Sequence, residues 1–145
     1  MTLQHGWQPC RACHLPGQEL RVEGEWHLRA NPGYWGAREP RVMVLGFSKG
    51  ANQIAAASSG DFDGVAFAGM RPRLQRVLQA LGIDLDGQTI DKALSAQGRT
   101  LGAASLIRCG LSILKDGKLQ TSGTIMPKAA RTPFMLGVMK ACVSQ

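Results

Sequence analysis

Arg41-Val42-Met43-Val44-Leu45-Gly46 runs directly into Phe47-Ser48-Lys49-Gly50, and the reading of this stretch decides the fold class. Four consecutive apolar residues, two of them β-branched, closing on a glycine, read as a buried parallel strand; a strand with one wet face would alternate with polar residues instead. Downstream, Met70, Leu74, Val77, Leu78 and Leu81 recur at helical spacing, with Arg71, Arg73, Gln75, Arg76 and Gln79 between them and Gly82 as a stop, which predicts an amphipathic helix. Thr89 is placed to cap a short helix through about Ala96, and Ala103-Ala104-Ser105-Leu106-Ile107-Arg108-Cys109 reads as a second buried strand. Strand, helices and strand make a parallel pair joined by a right-handed crossover. The expected class is therefore α/β, a three-layer sandwich with a short central parallel sheet flanked by helices. Ligands of such sheets bind beyond the carboxyl ends of the strands, here the loops after Leu45 and Ile107.

Outward from that core, residues 1–40 are rich in Gly, Pro and Trp without a sustained period. They are expected to form an irregular wrap anchored by Trp7, Trp26, Tyr34 and Trp35. Lys115-Asp116-Gly117-Lys118 reads as an exposed turn, and Phe134, Val138 and Cys142 at i, i+4 and i+8 mark a final helix with Cys142 on its packed face. A chain of 145 residues, 44% apolar and 19% charged, fits one domain, with 1–40 as the wrap and 41–145 as the α/β core. No apolar stretch approaches the ~20 residues that cross a bilayer. The opening Met1-Thr2-Leu3-Gln4-His5-Gly6-Trp7 lacks the basic start and apolar run of a secretory signal. A cytoplasmic monomer without membrane contact is expected.

The net charge is +7, and its placement is uneven. Residues 1–40 hold four Arg and four Glu; residues 41–83 hold five bases against two acids, and 84–145 eight against four, so the excess of +3 and +4 lies after residue 40. A basic surface of this kind attracts polyanions such as nucleic acid by releasing their counterions.

Four cysteines stand at positions 10, 13, 109 and 142. In a reducing compartment they are ligands or buried thiols more often than disulfides. Cys10 and Cys13 form a Cys-x-x-Cys, whose spacing lets two thiolates of one turn face a single metal or cluster. A zinc ribbon would add a second close pair, which Cys109 and Cys142 are not. A thioredoxin-like pair would sit where a strand meets a helix, whereas this one is bracketed by Pro9 and Pro16 and reads as a loop.

Gly46-Phe47-Ser48-Lys49-Gly50 also matches G-x-S-x-G, the nucleophile elbow of α/β hydrolases. That fold needs its histidine after the serine, and His5, His14 and His27 all precede Ser48. Nor is it a phosphate-binding P-loop, because Lys49 precedes the last glycine and no Ser or Thr follows. What remains is a glycine-bracketed loop whose backbone can approach a ligand closely.

Taken in order, four segments resemble the iron-sulfur uracil-DNA glycosylases of the uracil-DNA glycosylase superfamily. They are Cys10-Arg11-Ala12-Cys13-His14-Leu15, Gly46-Phe47-Ser48-Lys49-Gly50, Gly64-Val65-Ala66-Phe67-Ala68-Gly69 and Ala104-Ser105-Leu106-Ile107-Arg108-Cys109. The family carries Cys-x-x-Cys-x-Leu, G-E-A-P-G, G-x-P-F-x-G and T-N-x-x-K-C in the same order. The resemblance spans residues 10–142 in spacing, with Cys142 filling the place of a later helix cysteine. It implies a DNA glycosylase that hydrolyses the N-glycosidic bond of a damaged base, uracil first among them, or a catalytically inactive DNA-binding module of the same fold. It further implies that Cys10, Cys13, Cys109 and Cys142 bind a structural 4Fe-4S cluster. Phe67 would stack on an extruded base, and Gly46, Phe47, Ser48 and Ser105 would complete the base site. Arg71, Arg73 and Arg76 would meet DNA phosphates.

The chain departs from the family at three places. Phe47 stands where the family has the water-positioning Glu, and Ser105 where it has a base-reading Asn, so one rotatable hydroxyl replaces an amide with fixed donor and acceptor. The family's later strands and His-Pro-Ser-like loop find no counterpart before Gln145, so the resemblance implies either a C-terminally truncated domain or a divergent member with another job. For replacement chemistry, Asp63, beside the Gly64–Gly69 motif, is the first candidate to orient a water, followed by Asn52 and Asp61. The plainer reading is that Asp61 and Asp63 form turns with Gly60 and Gly64.

Overall fold

The computed structural model describes residues 3–144, and the fold is mixed α/β built on two four-stranded sheets. The strands are β1 (Gly6–Trp7), β2 (Leu20–Glu23), β3 (Trp26–Arg29), β4 (Gly33–Gly36), β5 (Val42–Gly46), β6 (Leu101–Ser105), β7 (Gly110–Lys115) and β8 (Lys118–Thr121). The helices are α1 (Ala51–Ser59), α2 (Phe62–Val65), α3 (Arg71–Ala80), α4 (Ile90–Ala93), α5 (Met126–Ala129) and α6 (Pro133–Val143). No helix among the described residues is long and apolar enough to cross a membrane.

The first sheet has the order β1-β4-β6-β5. Its β5 and β6 pair in parallel, from Val42 opposite Leu101 to Gly46 opposite Ser105, as the strand–helices–strand pattern predicts. The sheet is not parallel throughout, because β4 joins β6, and β1 joins β4, antiparallel. The second sheet, β2-β3-β7-β8, is wholly antiparallel.

Two corrections follow for the sequence reading. Residues 1–40 are not an irregular wrap: they supply β1 to β4, half of the strands. These strands are two to four residues long, too short for a period of two to show. Only the Cys10–Cys13 loop, between β1 and β2, is irregular as expected. The apolar run from Ala103 to Cys109 is also not one strand. It ends at Ser105, extends its pairing by two bonds, from Leu106 N–H to Gly46 O (2.8 Å) and Ile107 N–H to Phe47 O (2.9 Å), and then enters β7 of the other sheet.

Each sheet holds its own core. Trp35, Leu101 and Ala103 pack with Val65, Leu78, Ile90 and Ala93 from α2, α3 and α4. Trp26, Leu28, Leu111 and Ile113 pack with Ala129, Met135, Val138 and Cys142 from α5 and α6. Removing one such leucine side chain from water contributes roughly 1.5–3 kcal/mol. The expected turn at Lys115–Lys118 closes the β7–β8 hairpin, with Asp116 (φ 51°) and Gly117 (φ 71°) both left-handed, the geometry that matches strand twist in a two-residue turn.

Thr89 caps α4 as predicted, its Oγ1 accepting from the Lys92 N–H at 3.2 Å, although the helix ends at Ala93. Thr89→Ala is expected to lower stability by about 1 kcal/mol, read as a fall in the urea midpoint with unchanged slope.

The chain passes between the sheets three times, through the Cys10–Cys13 loop after β1, at residues 30–32 after β3 and at 106–109 after β6. The last two crossings are tied together by the Asn31 side chain, whose Oδ1 accepts from the Gly110 N–H at 2.7 Å. Both candidate sites below border this junction or the ends of β5 and β6.

Candidate functional site

Beyond the carboxyl ends of β5 and β6 lies a small cavity of about 30 Å³. Gly46 and Ser48 line it from the loop after β5, Phe67 from the turn after α2, Ser105 from the end of β6, Gln53 from α1 and Trp35 from β4. Segments far apart in sequence thus converge where a parallel pair places ligands.

Two local features mark this cavity. The Ser48 side chain is buried at 4% exposure, and its Oγ has no hydrogen-bond partner among the described residues, a situation that is rare in folded proteins because an unpaired buried hydroxyl costs roughly 1–3 kcal/mol. Phe67 sits at φ 54°, the left-handed region that side chains avoid. No backbone carbonyl among the described residues accepts from the Ser48 or Lys49 N–H. Gln53, which the sequence reading missed, faces the same cavity while its Oε1 accepts from the Gly50 N–H at 3.0 Å. Its position in an Ala- and Ser-rich helix carries no signal in the sequence.

The other candidates fall outside the cavity. Phe47 turns its side chain to the opposite core, against the cluster that contains Cys109 and Cys142. Asn52 is exposed on α1. Asp61 caps α2, accepting from the Gly64 N–H at 3.1 Å, which is the turn role expected of it. Asp63 is an exposed residue of α2 whose Oδ1 lies 2.8 Å from His5 Nε2. The Gly36 N–H donates to His5 Nδ1 at 3.2 Å, so the ring proton sits on Nε2 and points at Asp63. Among the arginines of α3, Arg71 bonds the carbonyls of Ala66 (3.0 Å) and Asp63 and the carboxylate of Asp91 (2.6 Å). Arg73 and Arg76 are exposed and have no carboxylate partner among the described residues.

The four cysteines meet. Cys10, Cys13, Cys109 and Cys142 line one small cavity of about 10 Å³, together with His14 and Pro32. All four are free thiols. The Cys10–Cys13 loop is held against the core by Arg21, which donates to the Cys13 carbonyl at 3.0 Å, and by His14, whose Nε2 donates to the Leu28 carbonyl at 2.9 Å. Cys109 follows the β6 crossing, and Cys142 lies in the last turn of α6. Burial pushes the Cys109 thiol up to about 12, with Lys49 opposing and Cys142 and Cys13 adding to the rise. Burial likewise raises Cys13, with Cys142 and Cys10 adding and Arg21 opposing.

Among the described residues, no three His, Cys, Asp or Glu side chains come close enough to hold a metal ion. A single tetrahedral zinc would need its sulfurs about 3.8 Å apart, from Zn–S bonds of ~2.3 Å. Four soft thiolates around one small cavity are the donor chemistry of zinc and of iron-sulfur clusters alike.

Lys49 adjoins the thiols. It is 1% exposed, and its Nζ donates to the carbonyls of Asn31 (2.9 Å) and Arg108. It lies 5.8 Å and 6.0 Å from the ring centroids of Trp35 and Trp7. Burial pulls its ammonium down to about 8, against the opposing pull of Cys109 and Cys142. Compared with protein-family models, curated proteins and solved structures, the chain matches none.

Proposed function

We propose that the protein takes a nucleobase extruded from DNA into the Ser48–Phe67–Ser105 cavity, on an α/β sandwich of the uracil-DNA glycosylase kind. In this reading a structural 4Fe-4S cluster on Cys10, Cys13, Cys109 and Cys142 fastens the N-terminal loop to α6, as a cross-link within a reducing cytoplasm. The observation that carries it is the convergence of Gly46, Ser48, Phe67 and Ser105 on one cavity containing an unpartnered buried hydroxyl. A base there would stack on Phe67, an interaction of about 1–3 kcal/mol, and give Ser48 Oγ its missing partner. Arg73 and Arg76 would meet the flanking phosphates.

Neither a carboxylate nor an imidazole lines the cavity. That favours recognition of the base without hydrolysis, since bond cleavage needs a group to position water. One observation favours hydrolysis as a second reading: Asp63, the first candidate for that task, is bonded to His5, a pair able to hold and pass a proton, and the Ser48 and Lys49 amides could receive a departing base anion.

The test is binding and cleavage on one set of oligonucleotides, single- and double-stranded, carrying uracil, hypoxanthine or xanthine. The expected result is salt-dependent binding that is tighter for a base-modified duplex than for its normal counterpart and about tenfold weaker in Phe67→Ala. Strand scission after alkali, lost in Asp63→Asn, would establish the hydrolytic reading instead. Binding to none of these DNAs would reject both.

A further inference from the structure

We infer that Lys49 is the buried counter-ion of the thiolate-bound cluster, fixing its charge and raising its reduction potential. The inference rests on the cluster reading above and concerns a side chain to which the resemblance assigns no role.

A buried cation is costly unless an anion or a full set of acceptors meets it. Lys49 is 1% exposed, yet no Asp or Glu among the described residues pairs with it. Two carbonyls, of Asn31 and Arg108, accept from its three N–H bonds. The Arg108 carbonyl it bonds belongs to the residue before Cys109, and Arg108 lines the cysteine cavity. The backbone gives a reason for the position. Lys49 lies in the turn between β5 and α1, and its Nζ reaches the two crossings at residues 30–32 and 106–109 through the Asn31 and Arg108 carbonyls.

A 4Fe-4S centre held by four thiolates carries a net negative charge that grows by one on reduction. A fixed ammonium beside it stabilises both forms and the reduced form more. Lysine is suited to this because its compact charge can be delivered by a flexible apolar stem through a packed core.

The experiment measures the one-electron reduction potential at an electrode and the rate of iron loss to a chelator, on anaerobically purified full-length protein and its Lys49→Gln and Lys49→Arg variants. Glutamine can still donate to the two carbonyls but carries no charge. Lys49→Gln is expected to shift the potential to more negative values by about tenfold in the oxidised-to-reduced ratio, ~59 mV for one electron, and to lose iron faster. Lys49→Arg should stay near wild type. A loosened core that merely admitted water would move the potential the other way, because water favours the more highly charged reduced form. An unchanged or more positive potential in Lys49→Gln overturns the inference while leaving the cluster in place. If Lys49→Gln takes up no iron, loading of Lys49→Arg supports the charge requirement, and failure of both in folded protein overturns it. Wild-type protein without iron or visible absorption would overturn the cluster reading itself, and this inference with it.

Discussion

Replacing Cys142 with serine is expected to strip the anaerobically purified protein of iron and to lower its stability by about 3 kcal/mol or more. Cys142 is 8% exposed in α6 and packs with Met135 and Val138 against the second sheet. Serine occupies nearly the same volume, so a bare packing role predicts a cost of only about 1–3 kcal/mol, set by the unpaired hydroxyl. The larger loss arises because the proposed cluster ties the Cys10–Cys13 loop to the core that Cys109 and α6 share. The loop has no ladder bonds of its own, and its attachment otherwise rests on the Arg21 and His14 contacts. Removing the shared group therefore frees the loop in addition to its cost in α6. Three measurements bear on this: iron and acid-labile sulfide per chain, the visible absorption of the chromophore, and limited proteolysis at Arg11. Cys10→Ser should reproduce all three effects although it is far less buried. Iron-free wild-type protein, with the two serine variants differing from it only in proportion to burial, would refute the cluster.

The central elements were legible because their patterns are long. The apolar run at 42–46, the amphipathic period of 71–80 and the Thr89 cap each reproduce in the structure. The parallel pairing of β5 with β6 followed from their order. The uninterrupted apolar character of β5 also predicts two covered faces, and there the outcome differs. Val42 and Val44 pack inward, while Met43 (40%) and Leu45 (63%) are exposed on an edge strand. Local sequence reports that a strand is apolar, not whether a layer covers it. The second sheet was invisible for another reason: Trp26 pairs with Ile113 and Leu28 with Leu111, contacts whose partners lie most of the chain apart, on strands too short to show alternation. The site was legible in part. Ser48, Phe67 and Ser105 converge as their motif positions imply, whereas Phe47 faces the other core. The partnership of Asp63 with His5 and the bond from Lys49 to the Arg108 carbonyl beside Cys109 depend on tertiary packing that no local pattern encodes.

Ser48→Ala is expected to have two effects of opposite sign, and their combination distinguishes a binding site from a packing defect. The hydroxyl is buried without a partner, so its removal should stabilise the protein by about 1 kcal/mol, the desolvation cost of the orphaned group less the small volume lost. Most core substitutions destabilise, which makes an increase in the urea midpoint informative by itself. The same change should weaken binding of uracil-containing DNA by about tenfold or more, since a base seated on Phe67 would lose the donor that the protein keeps unpaired for it. A stabilised protein with impaired binding is the pattern of a site held at the expense of stability. Stabilisation with unchanged binding would place the base elsewhere. Destabilisation would mean that Ser48 Oγ has a partner in solution, a bound water being the simplest, and that the cavity is wet and structural. Ser105→Ala provides the comparison: that hydroxyl lies on a half-buried residue at the rim, so its loss should leave stability within about 0.5 kcal/mol and affect binding alone.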